Sequence, residues 1–299
     1  MQFPFHLVDV FAEAKYQGNQ LAVVEHDGEL TSEQMLAIAR EINFAETTFV
    51  DRRTLQDTAV AVRIFTPDQE LPFAGHPTLG TAYVIREALL KTSPRQIVLK
   101  LGVGNIPVDF GEDGVLWMEQ KQPTFGQTYA HADVADFLGI QPGNLMMNLP
   151  VEEVSTGIMF QIVPVQSRAI LNTLQPDAGK FLDFLKHHDR HVGTNRLGCL
   201  VFTTETYEPQ HDLNCRMFYP MNATVLEDSA TGSANGCLLA YLLKHRVLDS
   251  TELQLRVEQG YAIPRPSLLY HDGRLGPDGR YQLRIGGRVQ PVATGLWTA

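Results

Sequence analysis

Two stretches of this chain lack charge where a helix is expected, and each follows the same prelude. In the first, Val60, Val62 and Ile64 alternate with Ala61 and Arg63, the two-residue period of a strand, before Phe65-Thr66-Pro67. A loop with Asp68 and Glu70 follows, then Gly75-His76-Pro77-Thr78, and from Pro77 to Ile85 no residue is charged. Pro77 is expected at the first helical position, where its missing N–H costs nothing. A helix apolar on every side is a buried one, so strands must surround it. In the second stretch Cys215-Arg216-Met217-Phe218-Tyr219-Pro220 leads through a loop with Glu227 and Asp228 to Thr231-Gly232-Ser233-Ala234, with no charge until Lys244. Lys244, His245 and Arg246 then supply the sign that a helix C-terminus prefers. The expectation is two buried helices, over residues 77–90 and 232–245, one in each of two related domains.

The remaining pattern fills in strands around them. Residues 3–11 read as a strand, Gly18-Asn19 as a turn, and residues 21–24 as its antiparallel hairpin partner. Thr31 with Gln34 makes a capping box, and Met35, Ile38, Ala39 and Ile42 recur at helical spacing, with Glu33, Arg40 and Glu41 on the other face. Residues 46–50 form a short β-branched strand that Glu46 opens. Further strands are expected at 97–101, 105–110, 115–120, 160–165, 200–203 and 213–218, and an amphipathic helix at 177–188 with Phe181, Phe184 and Leu185 inward. Beyond the second charge-free helix, Leu253, Leu255 and Val257 alternate with Gln254, Arg256 and Glu258. Strands outnumber helices and their connections read as hairpins, so the class is α+β with mainly antiparallel sheets. Gln122-Pro123-Thr124-Phe125-Gly126 is the expected linker, dividing a domain of residues 1–124, completed by 286–299, from one of residues 125–285.

Composition narrows the partners. A length of 299 residues suits two domains of ordinary size, and 44% hydrophobic against 19% charged residues suits a substantial core. The net charge of -10 argues against nucleic acid and anionic membrane as partners, while leaving open an anionic small substrate held by a local field. The odd count of 3 cysteines, all in apolar surroundings, points to reduced core thiols and a cytoplasmic protein. The chain shows neither a basic leader nor an apolar run long enough to span a membrane.

Four places offer chemistry. Glu46, at a strand entry beside Phe44 and Ala45, is either a partly desolvated proton shuttle or a solvated strand-edge carboxylate. His76 at a helix start would oppose the dipole if charged, so it belongs there neutral, as a ligand contact or as a satisfied structural histidine. Asp228 and Ser233 suit either helix capping or substrate contact. Gly75 and Gly232 leave backbone N–H groups free for an anion. Gln259-Gly260 with Arg265-Pro266-Ser267 is a fourth cluster, whose plainest reading is a turn and a strand start. Nucleotide and serine-hydrolase fingerprints are missing, and the 10 histidines offer no metal-ligand spacing, so neither metal nor cofactor is expected.

Together these patches resemble a known family. Gly18-Asn19, Ala45-Glu46-Thr47, Phe65-Thr66-Pro67, Glu70-Leu71-Pro72-Phe73-Ala74-Gly75-His76-Pro77-Thr78 and Glu227-Asp228-Ser229-Ala230-Thr231-Gly232-Ser233-Ala234 are similar to the phenazine-biosynthesis isomerase (PhzF-like) family. The resemblance implies two pseudo-symmetric domains of diaminopimelate-epimerase type, each a barrel-like sheet around a central buried helix, with the site in the inter-domain cleft. It implies a cofactor-independent isomerase in which Glu46 moves a proton between carbons of a small acid, cyclic amino acids included. Gly75, His76, Asp228, Gly232 and Ser233 then become contacts to a carboxylate-bearing substrate, and a homodimer is the default assembly. The epimerases place a cysteine before the glycine at both helix starts; here Ala74 and Thr231 stand there, which disfavours a two-thiol reaction. A silent small-acid binding or regulatory protein using the same cleft is the alternative.

Overall fold

Strand β1 (Gln2–Val10) turns back through Gly18, at φ +69°, into β2 (Asn19–His26), and the two pair antiparallel with Val10 opposite Asn19. The structure is a computed structural model describing residues 1–90, 92–192, 195–221 and 224–298, with backbone alone described at 191–192 and 195–196. Phe11 leaves the strand at φ +61°, so β1 stops one residue short of the expected end. Helix α1 (Ser32–Ile42) carries the expected capping box between Thr31 and Gln34, and buries Met35, Ile38 and Ala39. β3 (Glu46–Gln56) is more than twice the length expected and continues into β4 (Ala59–Phe65). Next come β5 (Glu70–Leu71), helix α2 (Gly75–Val84), β6 (Gln96–Leu101), β7 (Gly104–Phe110) and β8 (Leu116–Glu119).

In the second half the order is β9 (Thr124–Tyr129), α3 (His131–Leu138), β10 (Val151–Ser155), β11 (Met159–Pro164), α4 (Arg168–Thr173) and α5 (Ala178–His187). The small pair β12 (His191–Val192) and β13 (Asn195–Arg196) precedes β14 (Gly198–Thr203), β15 (Leu213–Met221) and β16 (Thr224–Asp228). Helix α6 (Gly232–His245), β17 (Glu252–Gln259), β18 (Ser267–Leu275), β19 (Tyr281–Gly287) and β20 (Val289–Thr298) complete the order.

The chain divides into two compact units, Met1–Glu119 with Gly286–Ala299, and Gln120–Ile285. Residues 124–126, read from sequence as linker, instead open β9, which pairs with β10. Within each unit the strands pair in one and the same series. In the first, β1–β2 is antiparallel, β2–β3 parallel, β3–β4 and β4–β5 antiparallel, β4–β6 parallel across α2, and β6–β7 antiparallel. In the second, β10–β11, β11–β14, β14–β15, β15–β16, β15–β17 across α6, and β17–β18 repeat those relations in order. Each unit therefore holds two parallel pairs in a mainly antiparallel sheet. Parallel neighbours need a crossover, and each of the four carries a helix: α1, α2, α4 with α5, and α6.

The repeat extends to side chains. Arg63 forks onto Glu70 at 2.7 and 2.6 Å and stacks over Phe65, while Arg216 forks onto Glu227 at 3.0 and 2.7 Å and stacks over Phe218. Phe65 stands opposite Glu70 in register, and Phe218 opposite Glu227. The expected acidic loops are therefore strand returns, each pinned by a bidentate arginine.

Helix α2 touches β1, β2, β3, β6, β7, β8 and β20, and every residue from Gly75 to Ala82 is buried. A Cβ on Gly80 would lie 2.6 Å from Leu21 and 2.7 Å from Val10, so glycine lets the helix close onto the sheet. Ala74 is the N-cap, which puts Pro77 at the third helical position rather than the first. All of the first four N–H groups lack intrahelical acceptors, so a proline is tolerated at either place. Beyond Val84 the helix widens into a π turn, Ile85–Leu89, closed by Leu90 N–H on the Ile85 carbonyl at 3.0 Å. Helix α6 is buried from Gly232 to Leu243 and packs on β10, β11 and β18. A separate core lies under α3 and α5, where Phe137 stacks on Phe181 at 4.2 Å between ring centres. Among the described residues no helix is long and apolar enough to cross a membrane.

Candidate active site

The parallel register of β2 and β3 puts Glu46 beside Leu21, and α2 begins next to it. Glu46 Oε2 lies 3.5 Å from His76 Nε2, with the two side chains 17% and 6% exposed. The desolvated reading of Glu46 is therefore the one its surroundings support. Its cover comes from His76; Ala45, expected to help exclude water, is exposed, and Phe44 only half-buried.

His76 is the second residue of α2. Burial pushes its pKa down to about 3, against a smaller opposing effect from a hydrogen bond with the Gln20 backbone. The imidazole is neutral at any ordinary pH, which is what a helix N-terminus favours. Its Nε2 meets no hydrogen-bond partner among the described residues. No side chain caps the start of α2: Ala74 cannot, and Thr78 turns its hydroxyl back to the Ala74 carbonyl at 2.7 Å. The first turn thus keeps backbone N–H groups at Gly75 and His76 beside a neutral imidazole and a carboxylate. Deeper in, the Thr48 and Thr81 hydroxyls pair at 2.8 Å and tie β3 to α2.

In the second unit Asp228 ends β16, half-buried, and receives the Thr231 hydroxyl at 2.5 Å. The N-cap of α6 is Thr231 rather than Asp228, and the Thr231 hydroxyl goes to Asp228 instead of capping the helix. Gly232 and Ser233 form the first two helical positions, both buried, with no side-chain cap over them. The residues that hold this arrangement are Gln259, Asn235 and His271. Gln259 accepts from Thr231 N at 3.1 Å and donates to the Asp228 carbonyl at 3.0 Å. Asn235 donates to Gln259 Oε1 at 2.9 Å and to the Thr231 carbonyl at 3.0 Å, and His271 Nε2 meets Asn235 Oδ1 at 2.9 Å. Sequence reading took Gln259-Gly260 for a turn, and Asn235 and His271 gave no signal beyond being polar among apolar neighbours.

Gly260 sits at φ +76°, and a Cβ there would come 2.3 Å from the Arg265 carbonyl and 2.7 Å from that of Ser229. The end of β17 is thereby threaded against the Asp228 loop. Cys237, one turn into α6, lies near Thr156 Oγ1 at 3.7 Å and the Ile158 carbonyl at 3.6 Å. Burial pushes its thiol up to about 12, so it carries no thiolate. The three cysteines are free and buried.

The site residues expected from sequence thus gather as two groups. Glu46, Gly75 and His76 meet in the first unit; Asp228, Gly232 and Ser233 meet in the second. Each group couples a carboxylate to an uncapped, buried helix start. The first also has the means to accept and return a proton; the second can hold an anion and accept from a hydroxyl or ammonium.

Comparison with known proteins gives the family and the fold. The profile of a family described as "Phenazine biosynthesis-like protein" (PhzC-PhzF) matches residues 8–295. A trans-2,3-dihydro-3-hydroxyanthranilate isomerase of Pseudomonas aeruginosa is 34% identical over 268 residues, 88% of each chain. An uncharacterised isomerase of Pasteurella multocida is 32% identical over 302 residues, 98% of this chain and 93% of its own. The crystal structure of the Bacillus anthracis phenazine biosynthesis protein of the PhzF family covers 100% of both chains with a TM-score of 0.89 at 27% identity. A hydroxyproline epimerase from Agrobacterium vitis, 11% identical with a TM-score of 0.60, shares the fold.

Proposed function

The chain belongs to the PhzF family of isomerases, and we propose that it is a cofactor-independent member that moves a proton between carbons of a small acid, with Glu46 as the acid/base. The observation that carries this reading is Glu46 lying 3.5 Å from a buried, neutral His76. A cationic histidine there would hold the carboxylate ionised and weaken it as a base; a neutral one leaves it able to take a proton and give it back. Gly75, His76, Asp228, Gly232 and Ser233 are the proposed substrate contacts, the N–H groups at each helix start suiting an anionic group.

The chemistry balances without an oxidant. A C–H bond breaks, its electron pair moves into the adjacent π system, the double bond migrates, and Glu46 returns a proton to the far carbon. A carboxylate is a weak base toward carbon, so the substrate must itself be acidified by conjugation with its carboxyl or amino group. Cyclic amino acids of this kind are the proposed class, and trans-2,3-dihydro-3-hydroxyanthranilate, after which a relative is named, is the first to try.

The test is incubation in deuterated water with a panel of cyclic and linear amino acids that includes this compound. One deuteron taken up at carbon by the wild type, and not by Glu46→Gln, is the expected result. Uptake by Glu46→Gln at the wild-type rate would remove Glu46 from the role.

A further inference from the structure

Asp228, Thr231 and the start of α6 do not hold themselves in place. Thr231 is the N-cap of α6, and a threonine there ordinarily turns its hydroxyl onto the N–H groups of the first turn. Here it does not, and the hydroxyl proton goes to Asp228 Oδ2 instead. What makes the difference is the Gln259 amide. Its Nε2 donates to Thr231 Oγ1 at 3.1 Å, occupying a lone pair of that oxygen, and also donates to the Asp228 carbonyl at 3.0 Å. Its Oε1 accepts from Thr231 N at 3.1 Å and from Asn235 Nδ2 at 2.9 Å.

Only one orientation of this amide works. Turned over, it would set its NH2 against two donors and its oxygen against the Asp228 carbonyl. Asn235 is fixed in the same way. Its Nδ2 serves Gln259 and the Thr231 carbonyl, so its Oδ1 must accept from His271 Nε2. His271 is buried, with its pKa pushed down to about 3, and so is a neutral donor at that nitrogen. Gln259, Asn235 and His271 are each at most 1% exposed. A chain of buried amides with a single consistent polarity thus ends on the Asp228 carboxylate.

We propose that Gln259 is a positioning residue for the substrate-binding half of the site: by donating to Thr231 Oγ1 it keeps that hydroxyl on Asp228 and off the helix, so that Asp228 stays oriented and the N–H groups at Gly232 and Ser233 stay open to an anion. The inference rests on the proposed isomerase reading for what is bound there. It adds a consequence of its own. Without the Gln259 donor, Thr231 reverts to capping α6 and closes the anion site with a group already in the chain.

The test pairs Gln259→Glu, which keeps the shape and the acceptor, and Gln259→Met, which keeps only the bulk, with Thr231→Val. Deuterium uptake into trans-2,3-dihydro-3-hydroxyanthranilate is followed for each. The expected result is at least about a tenfold rise in KM for either Gln259 variant, the size of one lost hydrogen bond to a charged group, with kcat nearly kept. A double variant, Gln259→Met with Thr231→Val, should be no worse than Thr231→Val alone, because Gln259 acts through that hydroxyl. Equal loss in kcat with KM unmoved, or fully additive effects, overturns the inference.

Amide hydrogen exchange supplies a readout independent of turnover. In the Gln259 variants the Thr231 amide should exchange faster, and the amides of Ser233 and Ala234 slower as the hydroxyl caps them. A wild type inert toward the probe, with exchange shifted in this way, upholds the positioning role and counts against the functional reading alone. Unchanged exchange at Ser233 and Ala234 overturns the positioning role whatever the activity.

Discussion

Glu46 Oε2 and His76 Nε2 lie 3.5 Å apart, although 30 positions of chain separate the residues, and burial keeps the imidazole neutral. The carboxylate is set by the entry to β3 and the imidazole by the second position of α2, so the pair is a product of how β3 and α2 pack. A carboxylate held this way has a neutral neighbour and little water, two conditions that favour the proposed proton transfer to and from carbon.

Glu46→Gln keeps the size of the side chain and most of its hydrogen bonding while removing the base. The expected outcome is a loss of at least ~10²-fold in kcat for deuterium uptake, with KM within a few-fold of wild type. Steady-state exchange kinetics followed by proton NMR check it.

Asp228→Asn should behave differently. The amide can no longer accept as an anion, and its NH2 is turned toward the Thr231 hydroxyl, so substrate affinity should fall by about tenfold or more alongside any loss of rate. Saturation kinetics on the same substrate separate the two effects.

Stability should depend on pH through two histidines. His76 and His271 have pKa values lowered from 6.5 to about 3 by burial, so the unfolded chain binds protons that the folded chain refuses between those values. Stability is therefore full above pH 6.5 and falls as pH drops from there toward about 3. Urea midpoints measured from pH 7.5 down to pH 4 should show this decline, and His271→Gln should flatten it in proportion.

The Thr48–Thr81 pair offers a stability test away from the chemistry. Thr48→Val leaves the Thr81 hydroxyl buried without its partner and should cost about 1–3 kcal/mol. Thr48→Val combined with Thr81→Val should recover much of that loss, since both polar groups are then gone. Equilibrium denaturation of the three variants decides it.

Thiol chemistry should be irrelevant to turnover. Cys237 is buried with its thiol pushed up to about 12, and Cys199 and Cys215 are raised further by burial. Iodoacetamide at neutral pH should leave deuterium uptake unchanged, as should Cys237→Ser at a temperature where that variant is folded. A variant lacking uptake while folded would restore a thiol to the mechanism.

Some of this was decided by local rules that a sequence carries on its face. The capping box at Thr31 and Gln34 is a contact between near neighbours, and the hairpin of β1 and β2 turns at a glycine in the left-handed region. The two charge-free helices could only be buried, because a helix without a polar face has no surface to give to water; that alone implied strands around each and a repeated unit. Ala74 and Thr231, standing where the epimerases have cysteines, disfavoured a two-thiol reaction.

What the sequence missed depends on long-range pairing. β10 was unreadable because Glu152 and Glu153 interrupt its apolar period, yet both are buried: Glu152 is taken up by Lys244 and His245, and Glu153 by Tyr129 and Arg190. The acidic loops became strands because Arg63 and Arg216, each on the strand paired with theirs, neutralise Glu70 and Glu227. Local polarity says that a side chain needs a partner; it does not say where in the chain the partner lies. The same holds for the site. Glu46 was visible as a residue with two meanings, and only the packing of α2 against β3 set a neutral His76 beside it and left it partly buried. The Gln259–Asn235–His271 chain was invisible for the same reason, since each amide acquires its orientation solely from residues that the fold brings to it.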